Sequence, residues 1–350
     1  MPRVWPLLAA AGVGAYVCSR RRHIRAVDPQ LRHPLLYLPM HVLPDAAFVT
    51  ASQVVARRRF ARRAGDGVEV QEVVQRSPEG VEFEARVLRP AGVAEDAPVV
   101  VFTHGGGHLI GSAGYYDPLN SRIAQELGVI VVAPEYPKAT VAPFPADHEA
   151  CYAALRWAQE RSAGPVAVCG DSAGGGLAAG IVHRALDEGH PVDFLALIYP
   201  MLDHRTGTSA VADGGAVSAS VAGPHAVSTP VPGRGQFVWT ANTNRGAWAT
   251  YLGAGPAQVN DYASPAVRAD FAGLPPVWVG IGELDLFFDE AQAYARAVNA
   301  AGGHAEFVTY PRAYHGFDQL RPQASVSQRL VADLIAAIRP HVEGGRGRCG

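Results

Sequence analysis

The segment Val166-Ala-Val-Cys-Gly-Asp-Ser-Ala-Gly-Gly-Gly176 constrains this chain more than any other. An apolar run passes through Gly170-Asp171-Ser172-Ala173-Gly174 into an alanine-rich stretch that reads as a helix. G-x-S-x-G between a strand and a helix is a sharp turn that lifts a serine hydroxyl above the edge of a sheet. Glycines two before and two after Ser172 leave the room such a turn needs. A glycine-rich turn after a strand can also cradle phosphate, but that use wants G-x-x-x-x-G-K-[ST] or G-x-G-x-x-G. Neither occurs in this segment, so Ser172 is read as a nucleophile.

The flanking pattern supplies the sheet. Val68–Ser77 and Val81–Pro90 alternate as half-buried strands and are joined by Pro78-Glu79-Gly80. Continuous apolar runs follow at Val99–Thr103, Val129–Ala133, Val166–Cys169, Phe194–Tyr199, Val277–Ile281 and Phe307–Tyr310. Unbroken runs of this kind mark strands covered on both faces. Helical stretches lie between them at about 117–127, 145–162, 172–189, 288–302 and 323–339. The expected class is α/β, with a mostly parallel central sheet and helices on both faces. His204–Gln236 has no usable period and no large apolar residue, and it is expected to be a mobile insertion.

Upstream, a strand ends in His104-Gly105-Gly106-Gly107. Acyl transfer needs backbone N–H groups aimed where a tetrahedral oxyanion forms. Gly105, Gly106, Gly107 and Ala173, the residue after the nucleophile, are the candidate donors, with Gly106, Gly107 and Ala173 preferred. A metal site at His104 and His108 is the rival, and the absence of a nearby carboxylate in the sequence disfavours it. Asp171 is expected to hydrogen-bond the serine turn or the His104–Gly107 loop.

A serine needs a base to take its proton. In a serine-turn fold the acid and then the histidine follow in chain order. Of thirteen histidines, only His304, His315 and His341 follow the acidic segment Glu283-Leu-Asp-Leu-Phe-Phe-Asp-Glu290. His304 precedes a strand and His341 lies in the last helix. His315 follows a strand at its C-terminal end, the edge where α/β sites form. The acid is read as Asp285, with Asp289 and Glu283 as alternatives. Asp289 and Glu290 suit the first turn of the following helix.

The remaining features bear on partners. Residues 1–65 carry eleven arginines against Asp28 and Asp45, whereas the rest of the chain is acidic. The basic clusters lack interleaved aromatics, so nucleic acid is not expected. Val4–Cys18 is an apolar run of fifteen residues followed by Arg20-Arg21-Arg22. It is short for a membrane span. The readings are a membrane anchor, a soluble head or a cleaved signal, so the location is cytoplasmic or membrane-anchored. Four scattered cysteines form neither a disulfide framework nor a zinc site.

Taken together, His104–Gly107, Gly170–Gly174, Asp285–Glu290 and His315–Phe317 resemble the H-G-G-G, G-D-S-A-G, D-x-x-x-D-E and H-G-F motifs of hormone-sensitive-lipase-like α/β-hydrolases, which include arylacetamide-deacetylase-like enzymes. The likeness spans about residues 68–340 outside the insertion. It implies the α/β-hydrolase fold with a helical cap, and a serine carboxylesterase acting on short-to-medium acyl esters through Ser172, His315 and Asp285. His104 and Asp171 would support the motifs. It implies residues 27–65 and 203–252 as cap segments, the latter holding the insertion 204–236. The core would be 66–202 and 253–342. The insertion and the apolar and basic head, residues 1–26, depart from the family's pattern; the head is a possible anchor whose removal is expected to leave an active esterase. A small-molecule ester is the expected partner, and no cofactor or metal is expected. An amidase or deacetylase on the same site is the alternative, and a non-catalytic receptor is a weaker one.

Overall fold

The computed structural model describes residues 16–39, 44–208, 231–253 and 259–343. Eight strands form one sheet: β1 (Val68–Arg76), β2 (Glu82–Pro90), β3 (Val99–Thr103), β4 (Ile130–Pro134), β5 (Val166–Asp171), β6 (Phe194–Ile198), β7 (Val277–Gly282) and β8 (Ala305–Tyr310). Their order is β1-β2-β4-β3-β5-β6-β7-β8. The β1–β2 and β2–β4 pairs are antiparallel and all later pairs are parallel. Every residue of β3, β4, β5, β6 and β7 is buried. That burial is why these strands read as unbroken apolar runs rather than alternating ones.

Helices α3 (Asp117–Leu127) and α8 (Ser325–Glu343) pack on each other, and α4 (Ala146–Arg161) packs on α5 (Ala173–Asp187). Between β7 and β8 lies α7 (Phe288–Ala300). Because β3 and β5 to β8 run parallel, their C-terminal ends share one edge, and the loops carrying the motifs converge there.

Three longer helices were not placed by residue periodicity, and two of them fall in the segments where the resemblance implied a helical cap. Residues 16–26 are helical (α1), α2 is Asp45–Val55, and α6 is Ala241–Leu252. The α2 and α6 helices pack together, with the backbone of Asp45 3.0 Å from where a Cβ on Gly246 would lie and Arg245 paired to Asp45. The buried face of α6 mixes Thr243, Asn244, Gly246 and Ala247 with Trp248 and Tyr251, and α2 buries only Ser52, so neither shows a strong apolar stripe in sequence.

The detachable head ending at residue 26 is corrected by these contacts. Arg20 is buried; its guanidinium donates to the Leu36 and Gln236 carbonyls and lies 4.7 Å over the Phe237 ring. Ile24 and Val27 are buried in the core. The Arg312 guanidinium donates to the carbonyls of Arg25, Ala26 and Val27. The arginine cluster thus contains one member whose long stem and planar head fill a packed site.

Most of the apolar run Val4–Cys18 lies outside the described residues, as do residues 209–230 of the expected insertion. Among the described residues no helix is long and apolar enough to cross a membrane. The described flanks of the insertion are tied down. Arg245 donates to the Gly207 carbonyl, and Arg234 donates to the Glu283 carbonyl and pairs with Asp289.

Candidate active site

Ser172 sits between β5 and α5 with φ 53°. A non-glycine residue rarely adopts that conformation, and it persists only where its surroundings hold it. The flanking glycines make it attainable. A Cβ at Gly170 would lie 2.4 Å from the Gly174 carbonyl, and one at Gly174 would lie 2.1 Å from the Thr103 carbonyl. The Ser172 N–H donates to Ile198 and its carbonyl accepts from the Met201 N–H. The turn is thereby locked to the end of β6.

Ser172 Oγ lies 2.9 Å from His315 Nε2, and His315 Nδ1 lies 2.8 Å from Asp285 Oδ2. Asp285 is fully buried, and its other oxygen accepts from the Phe287 N–H at 2.9 Å. The alternative acids are elsewhere: Asp289 pairs with Arg234, and Glu283 accepts from the Arg312 N–H. Three aromatic rings pack around the His315 imidazole, those of Tyr199, Phe287 and Trp239, with centroids 4.9, 5.2 and 6.1 Å away.

The His104–Gly107 loop is held from below. Asp171 Oδ1 accepts from the Gly105 N–H at 2.7 Å, and Oδ2 accepts from the Tyr116 hydroxyl at 2.7 Å. This is the expected tie between serine turn and loop. It also takes Gly105 out of the candidate oxyanion donors, because its N–H is already committed to a carboxylate. Gly106, Gly107 and Ala173 remain; Ala173 lies in the first turn of α5, where N–H groups have no partner within the helix. Burial pushes the Asp171 carboxyl up to about 7, against the hydrogen bond from Tyr116.

The sequence reading missed the groups that hold His104. Its Nδ1 lies 2.7 Å from the Gly105 carbonyl and its Nε2 lies 3.2 Å from Lys138 Nζ. The pattern requires a neutral ring, protonated at Nδ1 and accepting at Nε2. Burial, with Lys138 beside it, holds the imidazole well below its usual range. Lys138 also donates to Glu135 and to the Tyr136 carbonyl, and Glu135 accepts from the Ala113 N–H. Lys138 is the single lysine in the sequence, and it is buried. In a chain that otherwise uses arginine, that signal was available. Glu290 lies in the first turn of α7, as expected, and it is also buried and accepts from the Leu202 and Asp203 N–H groups.

A family model described as alpha/beta hydrolase fold matches residues 100–319. The chain belongs to the alpha/beta-hydrolase family. The carboxylic ester hydrolase LipN of Mycobacterium tuberculosis is 31% identical over 288 residues, covering 79% of this chain and 71% of that protein. Arylacetamide deacetylase of Rattus norvegicus is 39% identical over a shorter stretch of 114 residues, covering 29% of this chain and 29% of that protein. The solved structure of a bacterial heroin esterase superimposes with a TM-score of 0.75 at 32% identity, covering 91% of this chain and 99% of that one. The motifs therefore pointed to the right hydrolase family.

Proposed function

We propose that this chain, a carboxylic ester hydrolase, cleaves short-to-medium acyl esters with Ser172 as nucleophile, His315 as base and Asp285 as its orienting acid. Ser172 Oγ attacks the acyl carbonyl as His315 Nε2 takes the hydroxyl proton. Asp285 holds the Nδ1–H tautomer and stabilises the imidazolium. The N–H groups of Gly106, Gly107 and Ala173 receive the oxyanion. His315 returns the proton to the departing alkoxide, and water, deprotonated by the same imidazole, releases the acid. The observation that carries this reading is the continuous hydrogen-bonded series from Ser172 through His315 to the buried Asp285, at 2.9 and 2.8 Å.

Residues 27–65 and 203–252 form a cap in this reading, supported by the packing of α2 on α6. A closed pocket suits compact esters better than emulsified fat.

The test is labelling with a fluorophosphonate and steady-state kinetics on esters and a matched anilide. Ser172→Ala should leave folding intact, abolish labelling and cut kcat by roughly 10⁴ or more. Asp285→Asn should cost about 10⁴, whereas Asp289→Asn should cost at most a few fold. Labelling at another serine, or equal losses for the two aspartates, would refute the assignment. Faster cleavage of the anilide would favour the amidase alternative.

A further inference from the structure

Of the three rings around His315, Tyr199 and Phe287 come from the ends of the sheet. Trp239 comes from the chain just before α6. Its backbone is unusual. The Trp239 N–H donates to the Phe237 carbonyl at 2.7 Å across Val238, whose φ is 60°. A hydrogen bond spanning two residues with positive φ at the centre is a strained γ-turn, and a β-branched residue tolerates that conformation poorly. Such strain persists only when both flanks are fixed. Both are. Phe237 is buried beneath the Arg20 guanidinium and against Tyr314. Trp239 donates its indole N–H to Asn244 at 3.0 Å, and Asn244 in turn donates to the Thr206 carbonyl.

The turn aims the indole at the reacting groups. A Cβ at Gly107 would lie 2.1 Å from Cη2 of Trp239, so the indole rests directly on that glycine. The same ring is 6.1 Å from the His315 imidazole and packs edge-on with Phe48 of α2 at 5.6 Å.

We propose that Trp239, set by the Val238 γ-turn, is the wall of the leaving-group side of the ester site and limits the size of the alcohol. The inference rests on the roles given above to Ser172 and His315. An alkoxide must take its proton from His315 Nε2, so the alcohol fragment lies beside the imidazole. The carbonyl oxygen lies at the Gly106–Gly107 N–H groups. A side chain that touches both Gly107 and the imidazole therefore borders the space that the alcohol occupies.

The experiment uses the full chain with two ester series. One holds the acyl group as acetyl and varies the alcohol through ethyl, cyclohexyl and tert-butyl. The other holds 4-nitrophenol and varies the acyl chain from C2 to C8. Trp239→Ala should raise kcat/KM for the bulky acetates relative to ethyl acetate by roughly tenfold or more. The acyl ranking should stay within about twofold. Trp239→Phe, which keeps a ring in place, should shift the alcohol ranking in the same direction by roughly threefold. It carries the test if the alanine variant does not fold. A changed acyl ranking, or an unchanged alcohol ranking in a folded, active variant, overturns the proposal. Failure of the underlying reading has a different signature, a Ser172→Ala protein that still hydrolyses both series.

Discussion

At the scale of single residues, Asp171 is the group whose environment makes the sharpest prediction. It accepts two hydrogen bonds yet is buried, and its carboxyl is pushed up to about 7. The unfolded chain titrates near 3.9. The folded state therefore holds this proton more tightly. The stability it contributes is full below about pH 4 and is lost as pH rises towards 7. Asp171→Asn keeps an acceptor for Gly105 and removes the titration. The unfolding free energy of the variant minus that of wild type should grow with pH between about 4 and 7 and then level off. Chemical denaturation at several pH values measures this, and a flat difference would contradict it.

Lys138 tests the support of the His104–Gly107 loop, the proposed oxyanion site. Lys138→Met would leave His104 Nε2 without its donor and Glu135 without its cation, and breaking a buried pair costs about 3–5 kcal/mol. Loop displacement of 1 Å can cost about 10² in rate. The expected outcome is a lower melting temperature and a kcat reduced by roughly ten- to a hundredfold with KM nearly unchanged. A variant with wild-type kcat would show that the loop holds its shape without the lysine.

At the scale of elements, α1 is the piece whose role differs most from its sequence. Removing residues 1–26 deletes the buried Arg20 and Ile24 and exposes Phe237, which flanks the γ-turn. Burial of one isoleucine side chain alone is worth about 1.5–3 kcal/mol. The melting temperature should fall by about 5 °C or more, since about 1 kcal/mol corresponds to 2–4 °C in a large domain. Removing residues 1–15 leaves every contact named here in place and should keep both stability and ester preference. Thermal melts of the two truncations decide between them. Strands β3 to β7 were legible because burial on both faces writes itself as apolar runs, β1 and β2 because half-burial writes itself as alternation, and the five helices between them as 3.6-residue periods. Helices α1, α2 and α6 were not, because they pack through alanine, glycine and isolated large residues.

At the scale of the whole molecule, Ser172, His315 and the turn around each could be read in advance, since short motifs with fixed chemistry mark them. What could not be read was which residues far apart in sequence meet: Asp171 with Gly105, Lys138 with His104, Arg20 with Phe237. Long-range pairing leaves no local period. The same holds for the flanks of the expected insertion, where Gly207 and Arg234 are engaged. A replacement should spare them. Exchanging residues 209–230 for a short Gly/Ser linker should change stability by about a kcal/mol at most, since closure entropy grows only logarithmically with length. Short-ester kcat should stay within about threefold, and a folded but inactive product would make the segment part of the catalytic apparatus.

The clasp between the chain's start and its histidine loop has a consequence during synthesis. Arg312 grips the carbonyls of Arg25, Ala26 and Val27, Asp28 donates back to the Arg312 carbonyl, and Tyr314 bonds Leu31. The partners stand up to 287 residues apart. A ribosome adding about 5–20 residues per second leaves the first arm waiting roughly 15–60 seconds for its mate. Throughout that interval Ile24, Val27 and Leu31 have no finished surface to lie against. The nascent chain thus presents Ile24, Val27 and Leu31 to the cell until the loop carrying His315 emerges.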